Sequence, residues 1–105
     1  MTKIILKSRK KLYYAEGSYS PKTGKVTVLK GSHINLNDNY SKMASQARNA
    51  RCCKEFVDDN GYVLKNIEFK SASAAAQFVI GDSSNGMMRW RVDDKISLKE
   101  YLSRQ

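Results

Sequence analysis

Residues 69–90, FKSASAAAQFVIGDSSNGMMRW, hold most of the conformational punctuation of the C-terminal half. Ser71 stands where a helix N-cap belongs, because its hydroxyl can accept from an orphan amide of the first turn. Ala72, Ala74, Ala75 and Ala76 lose little side-chain entropy in a helix. Gly81 ends the helix by taking the left-handed conformation after its last turn. Asn85-Gly86 is a turn dipeptide that tolerates positive φ. Met88, Trp90 and Val92 follow at strand spacing, which predicts Trp90 in the core with Arg89 and Arg91 sharing the exposed face.

The rest of the chain supplies what this helix would pack on. Residues 3–7 read as a short strand, β-branched at its centre. Residues 12–15 lead through Glu16-Gly17 towards Tyr19 as a second strand, after the basic connector of Ser8, Arg9, Lys10 and Lys11. Ser20-Pro21-Lys22-Thr23-Gly24 is a turn, with φ preset by proline and the closing conformation accepted by glycine. Residues 25–30 are the clearest strand by propensity, and residues 66–69 are another. Between them a helix is predicted over residues 40–57, capped by Asp38 or Asn39, with Met43, Ala47, Ala50 and Val57 on one arc. Gly61 is its expected C′ residue. Arg48 and Arg51 project from one flank of it at i, i+3 spacing. Ser97 and Glu100 have the spacing of a capping box and open a last short helix. The expected fold is α+β: a small antiparallel sheet packed against two or three helices in a single domain. Residues 1–16 form a strand extension packed on that domain, and residues 17–105 form its body.

Charge is the strongest functional signal. The chain carries 19 Lys/Arg against 10 Asp/Glu, a net charge of +9. Residues 1–54 hold 12 Lys/Arg and 2 Asp/Glu, whereas residues 55–105 hold 7 and 8. A basic half beside a near-neutral half attracts polyanions and makes non-specific nucleic-acid binding the leading expectation. The longest apolar runs are a few residues, too short for a membrane span or a signal-peptide core, so a cytoplasmic protein is expected. Cys52 and Cys53 are the only cysteines, and a vicinal pair is no disulfide framework. They read as two reduced thiols on or beside a buried helix face.

Three groups of motif residues carry a family resemblance. They are Gly31-Ser32 after Val28-Leu29-Lys30; Phe69-x-Ser71-x-Ser73-Ala74-Ala75-Ala76; and Gly81-x-Ser83-x-Asn85-Gly86 followed by Trp90. Together they resemble an uncharacterised domain family found C-terminal to GIY-YIG nuclease-type domains and in restriction-modification-associated proteins. A looser similarity is to the restriction/adenine-methylase-associated domain. The family pattern reads F-x-S-P-S-A-A-A, so Ala72 replaces its proline, and Met87 and Met88 stand where members often carry a tryptophan. Alanine suits a first helical turn as proline does, so the helix stays expected. The resemblance implies a non-catalytic module near DNA-processing enzymes, with a nuclease or methylase as a partner. It supplies no catalytic residues.

The residues themselves point the same way. No GIY…YIG pair, phosphate loop or dinucleotide fingerprint is present. Asp58-Asp59 and Asp93-Asp94 read as solvated turn acids, because adjacent side chains diverge. His33 lacks a visible orienting acid or nucleophile and reads as a surface-loop residue. The expectation is therefore no enzyme, no metal and no cofactor. Nucleic-acid contact falls to Arg9, Lys10, Lys11, Lys30, Arg48, Arg51, Arg89 and Arg91, giving weak or non-specific affinity with DNA the expected polymer. The alternative expectation is a protein-interaction domain that docks on a partner enzyme or on a second copy of itself.

Overall fold

Alternation of apolar and polar residues builds the sheet. The computed structural model describes residues 2–8, 10–36, 43, 45–82, 84–93 and 96–104. Strands β1 (Thr2–Lys7), β2 (Tyr14–Tyr19), β3 (Val26–Val28) and β4 (Ile67–Phe69) form one sheet in that order, antiparallel throughout. The register aligns Ile4 with Gly17 and Gly17 with Val28, then Val28 with Ile67. Leu6, Ala15, Tyr19, Val26 and Phe69 share that inner face and are buried. Lys3, Lys7, Tyr14, Glu16, Ser18, Thr27 and Glu68 point the other way, towards solvent. The β2–β3 turn closes as expected, with Gly24 at φ 74° and its amide donating to the Ser20 carbonyl at 2.8 Å.

A bulge follows β3. Gly31 turns the chain at φ 93°. The buried Ser32 hydroxyl accepts from the Glu16 amide at 3.1 Å and donates to the Glu16 carbonyl at 3.4 Å, replacing ladder bonds that the bulge interrupts. His33 then rejoins the sheet, exchanging two backbone bonds with Tyr14 at 2.9 and 2.7 Å and bridging onward to Tyr62.

Four helices among the described residues accompany the sheet: α1 (Ser45–Cys52), α2 (Ala72–Ile80), α3 (Gly86–Arg89) and α4 (Leu98–Ser103). No helix among the described residues is long and apolar enough to cross a membrane. Helix α2 is the hub, touching β2, β3, β4, α1 and α3. Ala72, Ala74, Ala75 and Ala76 let it lie close to its neighbours, and Phe78 meets Phe69 with ring centroids 5.0 Å apart. Its N-cap is Ser71, whose hydroxyl accepts from the Ala74 amide at 3.1 Å, and its C-cap is left-handed Gly81. All four of its last carbonyls are satisfied. Gln77 receives the Gly81 amide, Phe78 the Arg51 guanidinium, Val79 the Asn35 amide, and Ile80 the Asn35 side chain.

The first helix is shorter than its sequence arc. Met43, Ala47, Ala50 and Val57 are all buried, but the helix stops at Cys52. Val57 is buried through a bridge to Val63 instead, so Gly61 closes the turn at residues 58–62 and is not a helix C′ residue. Asp38, Asn39 and Tyr40, named for the helix start, lie outside the described residues.

The predicted strand through Met88, Trp90 and Val92 is corrected. Asn85 is the N-cap of α3, accepting from the Met87 amide at 3.2 Å, and the helix runs to Arg89. Period-two spacing over so few residues is outweighed by a local cap. Gly86 has no positive φ; close packing is what requires it. A Cβ there would overlap the Ala72 carbonyl group and the Ser73 amide nitrogen. The Gly86 amide donates to the Ser73 hydroxyl at 3.1 Å. Trp90 is fully buried as expected, its Nε1–H donating to the Ala72 carbonyl at 3.1 Å. Its ring lies over Gly17, where a Cβ would come within 3.3 Å of it. Ser97 caps α4 through the Glu100 amide at 3.2 Å.

Candidate nucleic-acid interface

The β1–β2 connection and α3 come together at one end of the sheet. In the connection, the Ser8 amide donates to the Tyr13 carbonyl at 3.1 Å and the Lys11 amide to the Ser8 carbonyl at 3.2 Å. The Ser8 hydroxyl accepts from the Lys10 amide at 3.2 Å. Lys11 sits at φ 59°, the left-handed region that normally favours glycine. Both Lys10 and Lys11 are exposed.

Arg91 is brought alongside by the backbone. It exchanges two hydrogen bonds with Ile5, each 2.8 Å, extending the sheet past β1 by one residue. Paired residues of an antiparallel bridge project to the same face, so Arg91 joins the outer face that carries Lys7. Arg89 closes the other wall from α3. The resulting cleft, roughly 810 Å³, is lined by Leu6, Lys7, Ser8, Lys10, Tyr13, Met88, Arg89 and Arg91. A second hollow of about 390 Å³ continues it over Lys7, Ser8, Lys11, Tyr13, Tyr14 and His33. Cations line both, and among the described residues no carboxylate does. Beside the second hollow, Glu16 accepts from the Tyr14 hydroxyl at 3.1 Å. The ion pairs Lys25–Glu68, Lys65–Glu55 and Arg104–Glu100 all lie outside the two hollows.

Four of the eight cations named from sequence thus meet here: Lys10, Lys11, Arg89 and Arg91. Arg89 and Arg91 are exposed as expected but stand on a helix and a bridge, not on one strand. Lys30 is exposed at the β3 bulge, with its amide donating to Asn66 Oδ1 at 2.8 Å. Arg48 is exposed on α1, near enough for a 3.3 Å bond to the Ser45 hydroxyl. Arg51 is part-buried and does not flank Arg48 as a second surface cation. Its Nη1 donates to the Phe78 carbonyl at 2.6 Å and its Nη2 to the Asn35 carbonyl. A cation at the C-terminus of α2 also complements the helix dipole. Arg9 and the motif residue Ser83 lie outside the described residues.

Sequence reasoning missed Lys7, Tyr13, Tyr14 and Met88. Alternation along β1 was the available signal for Lys7, since it shares the outward set with Lys3. The Tyr13-Tyr14 pair beside a basic connector was the signal for the aromatics. His33 is half-buried: its Nε2 lies 2.8 Å from the Asn60 carbonyl, and its ring centroid is 4.7 Å from that of Tyr62. Cys52 is exposed and Cys53 half-buried, and both are thiols outside any disulfide. Among the described residues no group of three or more His, Cys, Asp or Glu is placed to hold a metal.

The family described as a domain of unknown function, DUF4357, matches residues 5–102. The chain belongs to that family. No curated protein and no solved structure matches it. The matched span contains every residue of the cleft and every motif residue named from the resemblance. In this DUF4357 domain the described motif residues act as scaffold. Gly31 and Ser32 shape the bulge, Ser71 and Gly81 bound α2, and Ala75 is buried on its inner side. Ser73, Asn85, Gly86 and Trp90 lock α3 to α2. That lock carries Arg89 and Arg91 to the cleft.

Proposed function

We propose that this DUF4357 domain is a non-catalytic nucleic-acid-contacting accessory module, with DNA the expected polymer. It would work in the cytoplasm beside nuclease or restriction-modification enzymes, the setting its family resemblance suggests. The observation that supports this reading is the convergence of Lys7, Lys10, Arg89 and Arg91 on one cleft that, among the described residues, no carboxylate lines. Phosphates held there would exchange bound counterions for protein cations, giving affinity without sequence information. Lys11 adds a second argument. A lysine held at φ 59° costs conformational energy that glycine would avoid, and such strain gathers at functional sites.

Fluorescence-anisotropy titration of labelled DNA at two salt concentrations tests the reading. Binding that weakens steeply as salt rises is expected. Absence of binding at low salt, where electrostatic attraction is strongest, would overturn it. The second reading, docking on a partner protein, draws on Leu36 and Leu64, which are 59% and 42% exposed. Sedimentation that shows concentration-dependent self-association unaffected by DNA would favour that reading.

A further inference from the structure

The outer sheet face carries a row of side chains that runs across four neighbouring segments. Lys7 pairs with Tyr14 in the β1–β2 register, Tyr14 with His33, and His33 with Tyr62. Residues opposite one another in antiparallel pairing project to the same face, so one cation and three rings stand side by side. The row is open to solvent at Tyr14, 45% exposed, and Tyr62, 50% exposed, on a strand and a connection that hold them by backbone hydrogen bonds, with half-buried His33 between them. His33 is fixed between them by its ring contact with Tyr62 and its bond to the Asn60 carbonyl. Interstrand spacing puts Tyr14 and Tyr62 about 10 Å apart. The basic cleft begins where the row ends, since Lys7 and Tyr13 line both hollows.

A duplex offers phosphates to the cleft but buries its base faces in its own stack. A single strand offers both. Its phosphates suit Lys10, Arg89 and Arg91, and its unstacked bases suit exposed rings on a rigid surface. We propose that the DUF4357 domain prefers single-stranded nucleic acid, with bases stacked on Tyr14, His33 and Tyr62 and the backbone led into the cleft beside Lys7. This rests on the nucleic-acid reading above and goes beyond it by naming the form of the polymer. The preference is for strandedness and is independent of sequence, because every base has a stacking face.

The test titrates the wild-type chain and variants against oligo(dT), oligo(U) and a mixed-sequence DNA duplex of equal length, at one moderate salt concentration. Tighter binding of at least one single strand than of the duplex, by about tenfold or more, is expected. Tyr14→Ala with Tyr62→Ala should abolish that preference, weakening single-strand binding by about tenfold or more and duplex binding by much less, because the cations remain. Tyr14→Phe with Tyr62→Phe should retain the preference, since phenylalanine keeps the stacking face and loses only the hydroxyl. Circular dichroism of each variant establishes that it is folded, and Tyr62→Ala alone, in a connection and not a strand, serves if the double variant is not. Equal or tighter duplex binding, or a single-strand preference untouched by the alanine variants, would overturn this inference while leaving the nucleic-acid reading standing. No binding of any of the three polymers would overturn both.

Discussion

Gly86 and Gly17 show how much one missing methyl group decides. Gly86 lets α3 sit directly on the Ala72 carbonyl and Ser73 amide, backbone atoms that cannot move without separating α3 from α2. Gly86→Ala should therefore cost at least about 3 kcal/mol, at or beyond the usual upper range for overpacking. At Gly17 the added Cβ would meet the Thr27 carbonyl at 3.0 Å and the Trp90 ring at 3.3 Å. The nearer neighbour is a sheet carbonyl, but neither contact is an overlap like that at Gly86, so Gly17→Ala should cost about 1–3 kcal/mol, less than Gly86→Ala. Urea unfolding of the two variants checks the order. Lys11 is the opposite case, a side chain where glycine would fit the backbone better. Lys11→Gly should be neutral or up to about 1 kcal/mol more stable, and should bind DNA less tightly. If it instead destabilises the fold, the lysine is there for packing. Gly86 was legible as a required glycine, but for the wrong reason, because close approach between distant backbones leaves no local trace, whereas an Asn-Gly turn does.

Among the elements, α2 is held at both ends by side chains, and these can be ranked. Ser71→Ala removes an N-cap and should cost about 1 kcal/mol. Arg51→Ala leaves the Phe78 and Asn35 carbonyls without their charged donor and should cost about 2 kcal/mol or more. Arg48→Ala, on the exposed side of α1, should stay within about 0.5 kcal/mol of wild type. Thermal or urea unfolding of the three variants measures this, and an Arg51 variant as stable as the Arg48 variant would contradict the clamp. The caps at Ser71, Gly81 and Ser97 were legible in the sequence because capping is a short-range hydrogen-bond problem with few chemical solutions. So was the sheet, because one buried face imposes alternation on β1, β2, β3 and β4. The part played by Arg51 was not legible. An i, i+3 arginine pair looks the same whether its surroundings are water or the carbonyl end of another helix. The strand predicted through Trp90 failed for a related reason. Asn85 settles that segment as a helical turn locally, and Arg91 becomes extended only because Ile5 is there to pair with it.

For the molecule as a whole, the excess charge was legible and its location was not. Lys7, Lys10 and Lys11 come from the first hairpin and Arg89 and Arg91 from near the other end of the chain. The Ile5–Arg91 bridge and the α2–α3 lock join them, and both are tertiary facts. In the proposed function this junction, rather than net charge alone, binds the polyanion. Two triple variants with equal loss of charge separate the two cases. One, Lys10→Ala/Arg89→Ala/Arg91→Ala, removes three of the four cations that line the cleft; the other, Lys22→Ala/Lys30→Ala/Arg48→Ala, removes three exposed cations elsewhere. The affinity of each for labelled oligo(dT) is followed as a function of salt. The cleft variant should bind far more weakly, with a log K against log salt slope smaller in magnitude by about 2–3, since each phosphate that is no longer neutralised lowers the slope by roughly one. The control should keep most of the wild-type affinity and slope. Equal losses in the two variants would overturn the cleft as the binding site, because the binding would then follow net charge.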